Sequence, residues 1–156
     1  MKDQPLSQEE QVEAIAAKLK LPPGVVIRKW AEADFAEIYA LSAAEGWNSP
    51  RVSKGQNLEA WQNSWPALVA ISEGRVIGEL RALSDGALTT YIADILVAPQ
   101  WRGKGLGKVL LEVCHQLAPR THFVLMSVEN STGFYEADGF EKSIGYSKDF
   151  TSRIDS

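Results

Sequence analysis

Three glycines alternate with other residues where an apolar strand-like pattern gives way to a helical one, within "APQWRGKGLGKVLLEVC" (residues 98–114). The three glycines are Gly103, Gly105 and Gly107. Glycine lets a backbone pass close to a ligand, and the free N–H groups at a helix start attract anions. One glycine would serve a tight strand-to-helix turn, so three of them, beside Arg102 and Lys104, predict a phosphate-binding loop.

Two common phosphate-binding patterns do not match this stretch. A P-loop has the pattern G-x-x-x-x-G-K-[ST]. When its lysine is aligned with Lys108, Arg102 stands where the first glycine is required and Val109 where Ser or Thr is required. A dinucleotide fingerprint, G-x-G-x-x-G, lacks its last glycine whether it is counted from Gly103 or from Gly105. The sequence therefore excludes both nucleotide-binding motifs.

The pattern that fits is R-x-x-G-x-G, formed by Arg102, Gly105 and Gly107 and preceded by "ILVAP". It resembles the pyrophosphate loop of the GNAT superfamily of acyl-CoA-dependent N-acetyltransferases. Downstream, "NSTGFYEADGFEK" (130–142) resembles the second signature of that family, a helix bearing F-Y followed by G-F. The resemblance covers roughly residues 24–150.

Hydrophobic periodicity and turn residues predict a mixed α/β chain. Helices are predicted over 7–20, 34–46, 57–65, 103–117 and 131–139, and strands over 25–30, 67–71, 76–83, 88–98, 122–128 and 140–150. Ser7 and Glu10 have the spacing of a capping box, and the strand at 122–128 is expected to be buried. The resemblance implies the GNAT fold, a mixed and mostly antiparallel sheet that splays at its central strands between flanking helices. We expect an N-terminal helical extension over 1–23 and the acetyltransferase domain over 24–156.

The composition narrows the possible function classes. The chain has 156 residues and a formal net charge of −4, which argues against a general nucleic-acid binder because such proteins are usually basic. Cys114 is the one cysteine, so no disulfide forms within the chain and a reducing compartment is expected. We find no apolar run long enough to cross a membrane and no signal-peptide core. The sequence predicts a cytoplasmic protein, a monomer or homodimer, without nucleic-acid or membrane partners.

The resemblance implies acetyl-CoA as the cosubstrate. In the family, the backbone of the strand before the glycine loop pairs with the pantetheine arm, and the amides of the loop cradle the pyrophosphate. The matching residues are Ile95, Leu96 and Val97 on the strand, and Arg102, Gly103, Lys104, Gly105, Leu106, Gly107 and Lys108 in the loop. Asn130 either contacts coenzyme A or caps the helix that begins at Ser131.

Proton transfer during acyl transfer has three candidate residues. Tyr135 matches the family tyrosine that donates a proton to the leaving thiolate, and it also belongs to the cofactor site. Many members carry a glutamate on the central strand as the base, and this chain has Tyr91 at that position. Asp94, three residues before Val97, is the first candidate base and Tyr91 the second. The alternative for Asp94 is a structural carboxylate held by backbone amides or by Arg81.

The resemblance implies an acceptor pocket built by the segment between the first helices, here residues 43–51, and by the end of the chain, here residues 139–150. In this sequence, Glu45, Trp47 and Tyr146 are placed to hold a small amine by charge and cation–π contact. His115 and His122 are the only histidines, and we predict no metal site. We expect acetyl transfer from acetyl-CoA to a small primary amine by direct attack. Two alternatives stay open: a non-catalytic coenzyme A-binding module or sensor, and an acetyltransferase for proteins or peptides.

Overall fold

A computed structural model describes residues 4–150, which form two compact units, the first ending at Met126 and the second beginning at Ser127. Within the described residues, the first unit contains four α-helices and five strands. In chain order they are α1 (Gln8–Ala16), β1 (Val25–Lys29), α2 (Phe35–Ala44), α3 (Lys54–Gln62), β2 (Ala67–Ser72), β3 (Arg75–Ser84), β4 (Thr89–Val97), α4 (Leu106–Leu117) and β5 (His122–Leu125). The second unit contains α5 (Thr132–Ala137).

The five strands form one mixed sheet in the order β1-β2-β3-β4-β5. The first three pairings are antiparallel and β4 pairs with β5 in parallel. Opposite Arg81 and Ala82, β4 carries Asp94 and Ile92, which leaves Ala93 as an extra residue in a β-bulge. The architecture is the mixed, mostly antiparallel α/β sheet that the resemblance implies.

The two faces of the sheet are covered by different helices. On one face, a core of buried apolar residues joins β2 to α2 and α3 around Val69, and the rings of Trp30 and Trp61 lie 5.4 Å apart within it. On the other face, a Cβ at Gly78 would stand 3.4 Å from the Leu106 side chain and 3.5 Å from that of Leu110. Close packing of α4 against β3 therefore fixes the helix that begins at the glycine loop.

The first helix has the predicted start. The Ser7 hydroxyl accepts a hydrogen bond from the Glu10 amide at 3.2 Å, and the Glu10 carboxylate accepts one from the Ser7 amide at 2.8 Å. This capping box satisfies two amides that have no partner within the helix. The helix buries Val12 and Ala16 against the first unit and ends at Ala16, before the expected limit of residue 20.

Other predicted elements also differ from the structure. Helix α3 begins three residues early because the Ser53 hydroxyl accepts a hydrogen bond from the Gln56 amide at 3.0 Å. The strand predicted over 122–128 is β5, which has only four residues and none fully buried, since it is the edge of the sheet. Residues 140–150 form neither helix nor strand, so the prediction of a last strand there was wrong. An extended segment needs a hydrogen-bonded neighbour to be a stable strand, and nothing among residues 4–150 pairs with it.

The second unit is organised around an aromatic cluster. Phe134 and Tyr135 on α5 have ring centroids 5.1 Å apart, and the Tyr135 and Phe140 centroids are 5.5 Å apart. Lys142 and Glu136 form an ion pair at 3.1 Å. In the described part of both units, no helix combines the length and apolar character of a membrane span.

Candidate active site

The glycine loop has the backbone that its sequence predicts. Gly103 and Gly105 have φ angles of 76° and 82°, in the left-handed region where a side chain is strained. A Cβ built at either position would meet no protein atom within 4 Å. Their conformation explains why these residues are glycines, and the open space in front of them leaves room for a ligand. Gly107 already lies inside α4.

The loop exposes a run of backbone donors. Among the described residues, no acceptor lies within hydrogen-bonding distance of the five successive amides of 103–107. The first amides of any helix lack partners within it, and the two left-handed glycines extend this set back into the loop. Successive free amides in such a turn form a concave anion-binding nest, here at the positive end of α4.

The strand before the loop has an open edge. Pairing between β4 and β5 ends at Ile92 and Leu125, whereas β4 continues to Val97. The Ala98 amide donates a hydrogen bond to the Ile77 carbonyl on β3 at 2.8 Å. In an antiparallel pair, successive residues of a strand direct their backbone N–H and C=O groups alternately toward and away from the partner strand. The N–H and C=O groups of Val97 therefore point away from β3. This stretch of β4 therefore has an unpaired edge on the side of β5, which can pair with an extended ligand.

Arg102 connects the loop to its surroundings by its side chain. Its Nε donates to the Val97 carbonyl at 3.0 Å, and its Nη2 lies 2.5 Å from Glu45 Oε1. Glu45, predicted as an acceptor-binding residue, is therefore held by the glycine loop. Lys104 lies with its Nζ 4.8 Å from the centre of the Trp101 ring, a cation–π contact inside the same loop.

Four polar residues form a cluster on one face of the two central strands. We call Glu79, Arg81, Asp94 and Tyr91 the β3–β4 polar cluster. The register pairs Arg81 with Asp94 and Leu83 with Tyr91, and Glu79 lies two residues from Arg81 on the same face. In a regular strand, Tyr91 and Asp94 would point to opposite faces, and the bulge at Ala93 brings both to this one. Both candidate bases thus share a face with α2 and α3.

Asp94 is held by an arginine. Arg81 Nε donates to Asp94 Oδ2 at 2.7 Å, and Arg81 Nη1 donates to the Ser64 hydroxyl at 3.2 Å. The Ser64 hydroxyl in turn donates to the Ala60 carbonyl at 2.6 Å. Arg81 and Asp94 therefore form the ion pair that the structural alternative predicts. A role for Asp94 as the base stays a prediction.

Glu79 is the member of the cluster that sequence analysis missed. It is completely buried, and neither carboxylate oxygen has a hydrogen-bond partner among the described residues. Burial raises the pKa of the Glu79 carboxyl well above its ordinary value, the charge of Asp94 raises it further, and Arg81 opposes both. The available signal was a glutamate in the middle of the apolar strand "VIGELRAL" (76–83).

Tyr135 lies in the second unit between two phenylalanine rings. Partial burial raises the pKa of its phenol above the ordinary value, so the hydroxyl stays protonated at neutral pH. A protonated phenol can donate to a leaving group. The role of Tyr135 as the acid stays a prediction.

The other predicted residues have varied surroundings. Asn130 lies inside a short 3₁₀ turn (Glu129–Ser131) and makes no capping hydrogen bond to α5, so the capping alternative was wrong. Tyr146 is 95% exposed in the segment without secondary structure. Trp47 is partly exposed after the end of α2 and does not belong to the core. Leu106 is the first residue of α4, and its side chain is buried against β3, which leaves its backbone amide as the group available to a ligand.

The described residues hold no cluster of histidine, cysteine, aspartate and glutamate side chains suited to a metal ion.

Comparison with known proteins identifies the family. The family model described as "Acetyltransferase (GNAT) family" matches residues 27–140, which include the glycine loop, the polar cluster and Tyr135. The chain belongs to the GNAT acetyltransferase family. GNAT acetyltransferases transfer acyl groups, so the chain is an acyltransferase, and this favours an enzyme over a binding module.

Individual GNAT relatives agree with this assignment. A protein from Glycine max named histone acetyltransferase TAP1 is 32% identical over 162 residues, covering 89% of this chain and 69% of its own length. The chain spans 64% of the length of a second relative from the same plant. Both relatives are thus longer than this chain.

Solved GNAT structures have the same fold. A GNAT family acetyltransferase from Streptococcus pneumoniae superposes with a TM-score of 0.65 at 19% identity, covering 80% of this chain and 96% of that protein. The PaiA N-acetyltransferase of Thermoplasma acidophilum, determined in complex with coenzyme A, superposes with a TM-score of 0.60 at 17% identity, covering 75% and 89%. At these identities the similarity establishes the fold.

Proposed function

We propose that this chain binds acetyl-CoA at the glycine loop and transfers the acetyl group to the primary amine of a small molecule. The observation that carries the proposal is the run of five free amides at 103–107. A diphosphate presents several anionic oxygens close together, and a nest of this kind provides the matching donors without reorganisation. Lys104 adds positive charge to the same loop.

The open edge of β4 supports the second half of the donor site. The pantetheine arm of coenzyme A carries two amides, which pair with free backbone groups as an added strand would. Val97 presents such groups on the side where β5 has ended. The Val97 carbonyl accepts from Arg102, so an arm that takes this carbonyl displaces the Arg102 Nε.

Acetyl-CoA, when bound, supplies an acetyl group activated as a thioester. The protein has three tasks: it holds the acceptor nitrogen against the acetyl carbon, takes a proton from the amine and gives a proton to the departing sulfur. Positioning alone removes a large part of the entropic barrier of a two-body encounter. We assign to Tyr135 the transfer of a proton to the departing sulfur, because its phenol is protonated at neutral pH.

The acceptor has a second candidate, the lysine side chain of a protein. The name of the relative TAP1, a histone acetyltransferase at 32% identity, favours it. Small amines and lysine side chains share the primary ammonium group, so the same donor site and proton transfers serve both. The two candidates differ in the contacts made beyond the amine.

The experiment is a thiol-release assay with acetyl-CoA over one panel of free amines and one of lysine-containing peptides, including histone tails. We expect release with free amines such as polyamines, amino sugars or amino acids, at higher kcat/KM than with any peptide. Activity confined to peptides would replace the small-molecule acceptor by a protein. No release with either panel would contradict the proposed function.

A further inference from the structure

The acceptor amine needs a base, and the position where many family members carry a glutamate holds Tyr91. An amine at neutral pH is mostly ammonium, which has no lone pair to attack a thioester. We propose that Glu79 supplies the missing carboxylate from the neighbouring strand β3 and accepts the proton of the acceptor ammonium. This inference rests on the proposed function and assigns the base within it.

The state of the Glu79 side chain calls for an explanation. Buried carboxyl groups almost always have hydrogen-bond partners, and leaving one without a partner is costly. Both oxygens of Glu79 lack partners among the described residues, although the side chain is completely buried. A purely structural position at the centre of a sheet would be better filled by leucine. The unused hydrogen-bonding capacity therefore points to a polar group that is bound during the reaction.

The location of Glu79 fits that role. Its cross-strand neighbour on β4 is Leu96, within the stretch of β4 whose far edge is open. Glu79 thus lies one strand away from the edge assigned to the acetyl donor. It faces the side of the sheet covered by α2, the helix that leads into the predicted acceptor segment after Glu45.

The rest of the polar cluster leads from Glu79 to solvent. The exposed fraction rises from 0% at Glu79 to 19% for the Arg81 side chain, 33% for that of Asp94 and 36% for Tyr91. These groups share one face of two paired strands. Neither Glu79 oxygen has a hydrogen-bond partner among the described residues, so passage of its proton to Asp94 requires an intervening water.

The charges around Glu79 set its basicity. A general base works best when its pKa lies near the operating pH, and burial together with the charge of Asp94 moves the pKa of Glu79 upward from the value of an ordinary carboxylate. Arg81 on its own strand limits that rise. The cross-strand neighbours are apolar: Val69 on β2 and Leu96 on β4.

The acidic residues of α2 are engaged elsewhere. That helix also packs on β3. Its Glu37 forms an ion pair with Arg75, and Glu45 at its end forms one with Arg102. The carboxylate that influences Glu79 most strongly is therefore Asp94.

The proton and electron balance is complete. The ammonium gives one proton to the Glu79 carboxylate, and the freed lone pair forms a bond from nitrogen to the acetyl carbon while the carbon–sulfur bond breaks. The sulfur takes the phenol proton of Tyr135. The nitrogen then loses its second proton to solvent, the phenolate recovers a proton from solvent, and Glu79 returns its own proton to solvent. The net products are the acetamide, free coenzyme A and one proton.

The test uses three variants of the full chain: Glu79→Gln, Asp94→Asn and the control Glu37→Gln. Glutamine keeps the shape of Glu79 and cannot take the proton, so we expect kcat/KM at neutral pH to fall by about 100-fold or more. We also expect the acidic limb of the pH–rate profile to disappear while coenzyme A affinity is unchanged. Glu37→Gln removes a glutamate from α2 outside the cluster and should keep the wild-type profile.

Asp94→Asn distinguishes the two carboxylates. With Glu79 as the base, removing the negative charge of Asp94 lowers the pKa of Glu79, so the acidic limb moves to lower pH and persists. Loss of the limb in Asp94→Asn, together with a wild-type profile in Glu79→Gln, would make Asp94 the base and overturn the inference.

A measurement on the wild-type protein does not depend on any variant folding. We expect the ¹³C carboxyl resonance of Glu79 to titrate with the midpoint of the acidic limb of kcat/KM. A midpoint away from that limb would also overturn the inference. Failure of the proposed function looks different, because wild-type protein would then release no thiol with any amine or peptide.

Discussion

The Arg102 guanidinium lies 2.5 Å from Glu45 Oε1, so an ion pair joins the glycine loop to the end of α2. The side chains are 49% and 27% exposed, and pairs of this kind contribute little to stability. The consequence is positional: the carboxylate predicted to hold the acceptor amine lies against the donor loop, and its acceptor role stays a prediction.

The first prediction concerns this pair. Glu45→Gln releases Arg102, so we expect the KM for acetyl-CoA to rise by no more than about fivefold, since a partly exposed pair is worth at most about 1 kcal/mol. The KM for the acceptor amine should not change. Steady-state kinetics with each substrate varied in turn measures both. Glu37→Gln breaks the Glu37–Arg75 pair on the same helix and is the matched control. An effect of Glu45→Gln confined to the amine would restore Glu45 to the acceptor pocket.

The second prediction concerns Tyr135. Tyr135→Phe removes the phenol and keeps the ring that packs on Phe134 and Phe140. We expect kcat to fall about 100-fold, because general-acid assistance to the leaving thiolate is lost, with little change in coenzyme A affinity. Tyr39→Phe is the control, a tyrosine packed on Phe35 in α2. An unchanged kcat in Tyr135→Phe would remove this residue from the mechanism.

The third prediction follows from the buried carboxyl of Glu79. Its pKa is raised in the folded state, so the folded protein binds the proton more tightly than the unfolded chain does. Stability from this group is complete below the ordinary glutamate pKa and is lost as pH rises toward the folded-state pKa. We expect the free energy of unfolding in urea to fall in the wild type as the pH rises above the ordinary glutamate pKa of about 4.3, and to fall less in Glu79→Gln and Glu79→Leu. An equal fall in the free energy of unfolding of all three proteins would show that folding does not raise the pKa of Glu79.

The sequence predicts the sheet well where each strand is bounded by a turn. Strands β1 to β4 begin and end within two residues of their predicted limits, because the turn residues that flank each apolar run fix where the strand can begin and end. The glycine loop is predictable from its local sequence, since glycines at 103 and 105 permit the left-handed backbone that the loop adopts.

The remaining differences arise from long-range pairing. The end of β5 and the absence of a strand over 140–150 depend on which segments find partners, and the local pattern does not contain that information. The bulge at Ala93 is equally hidden, yet it places Tyr91 and Asp94 on one face. Glu79 lacked a local signal beyond its charge, because its burial is set by the helices that cover the sheet.

Binding of coenzyme A to the glycine loop is the central claim, and isothermal titration calorimetry on three proteins tests it most directly. Gly105→Ala places a Cβ in the space in front of the nest and strains a residue with a φ of 82°. Gly86→Ala introduces the same strain, about 1 kcal/mol, at a φ of 71° in the β3–β4 turn, where a Cβ likewise meets nothing within 4 Å.

We predict that wild-type protein and Gly86→Ala bind coenzyme A with the same affinity and that Gly105→Ala binds it at least about tenfold more weakly, since one tenfold step corresponds to 1.4 kcal/mol. Absence of binding in folded wild-type protein, or equal affinity in all three, would contradict the claim.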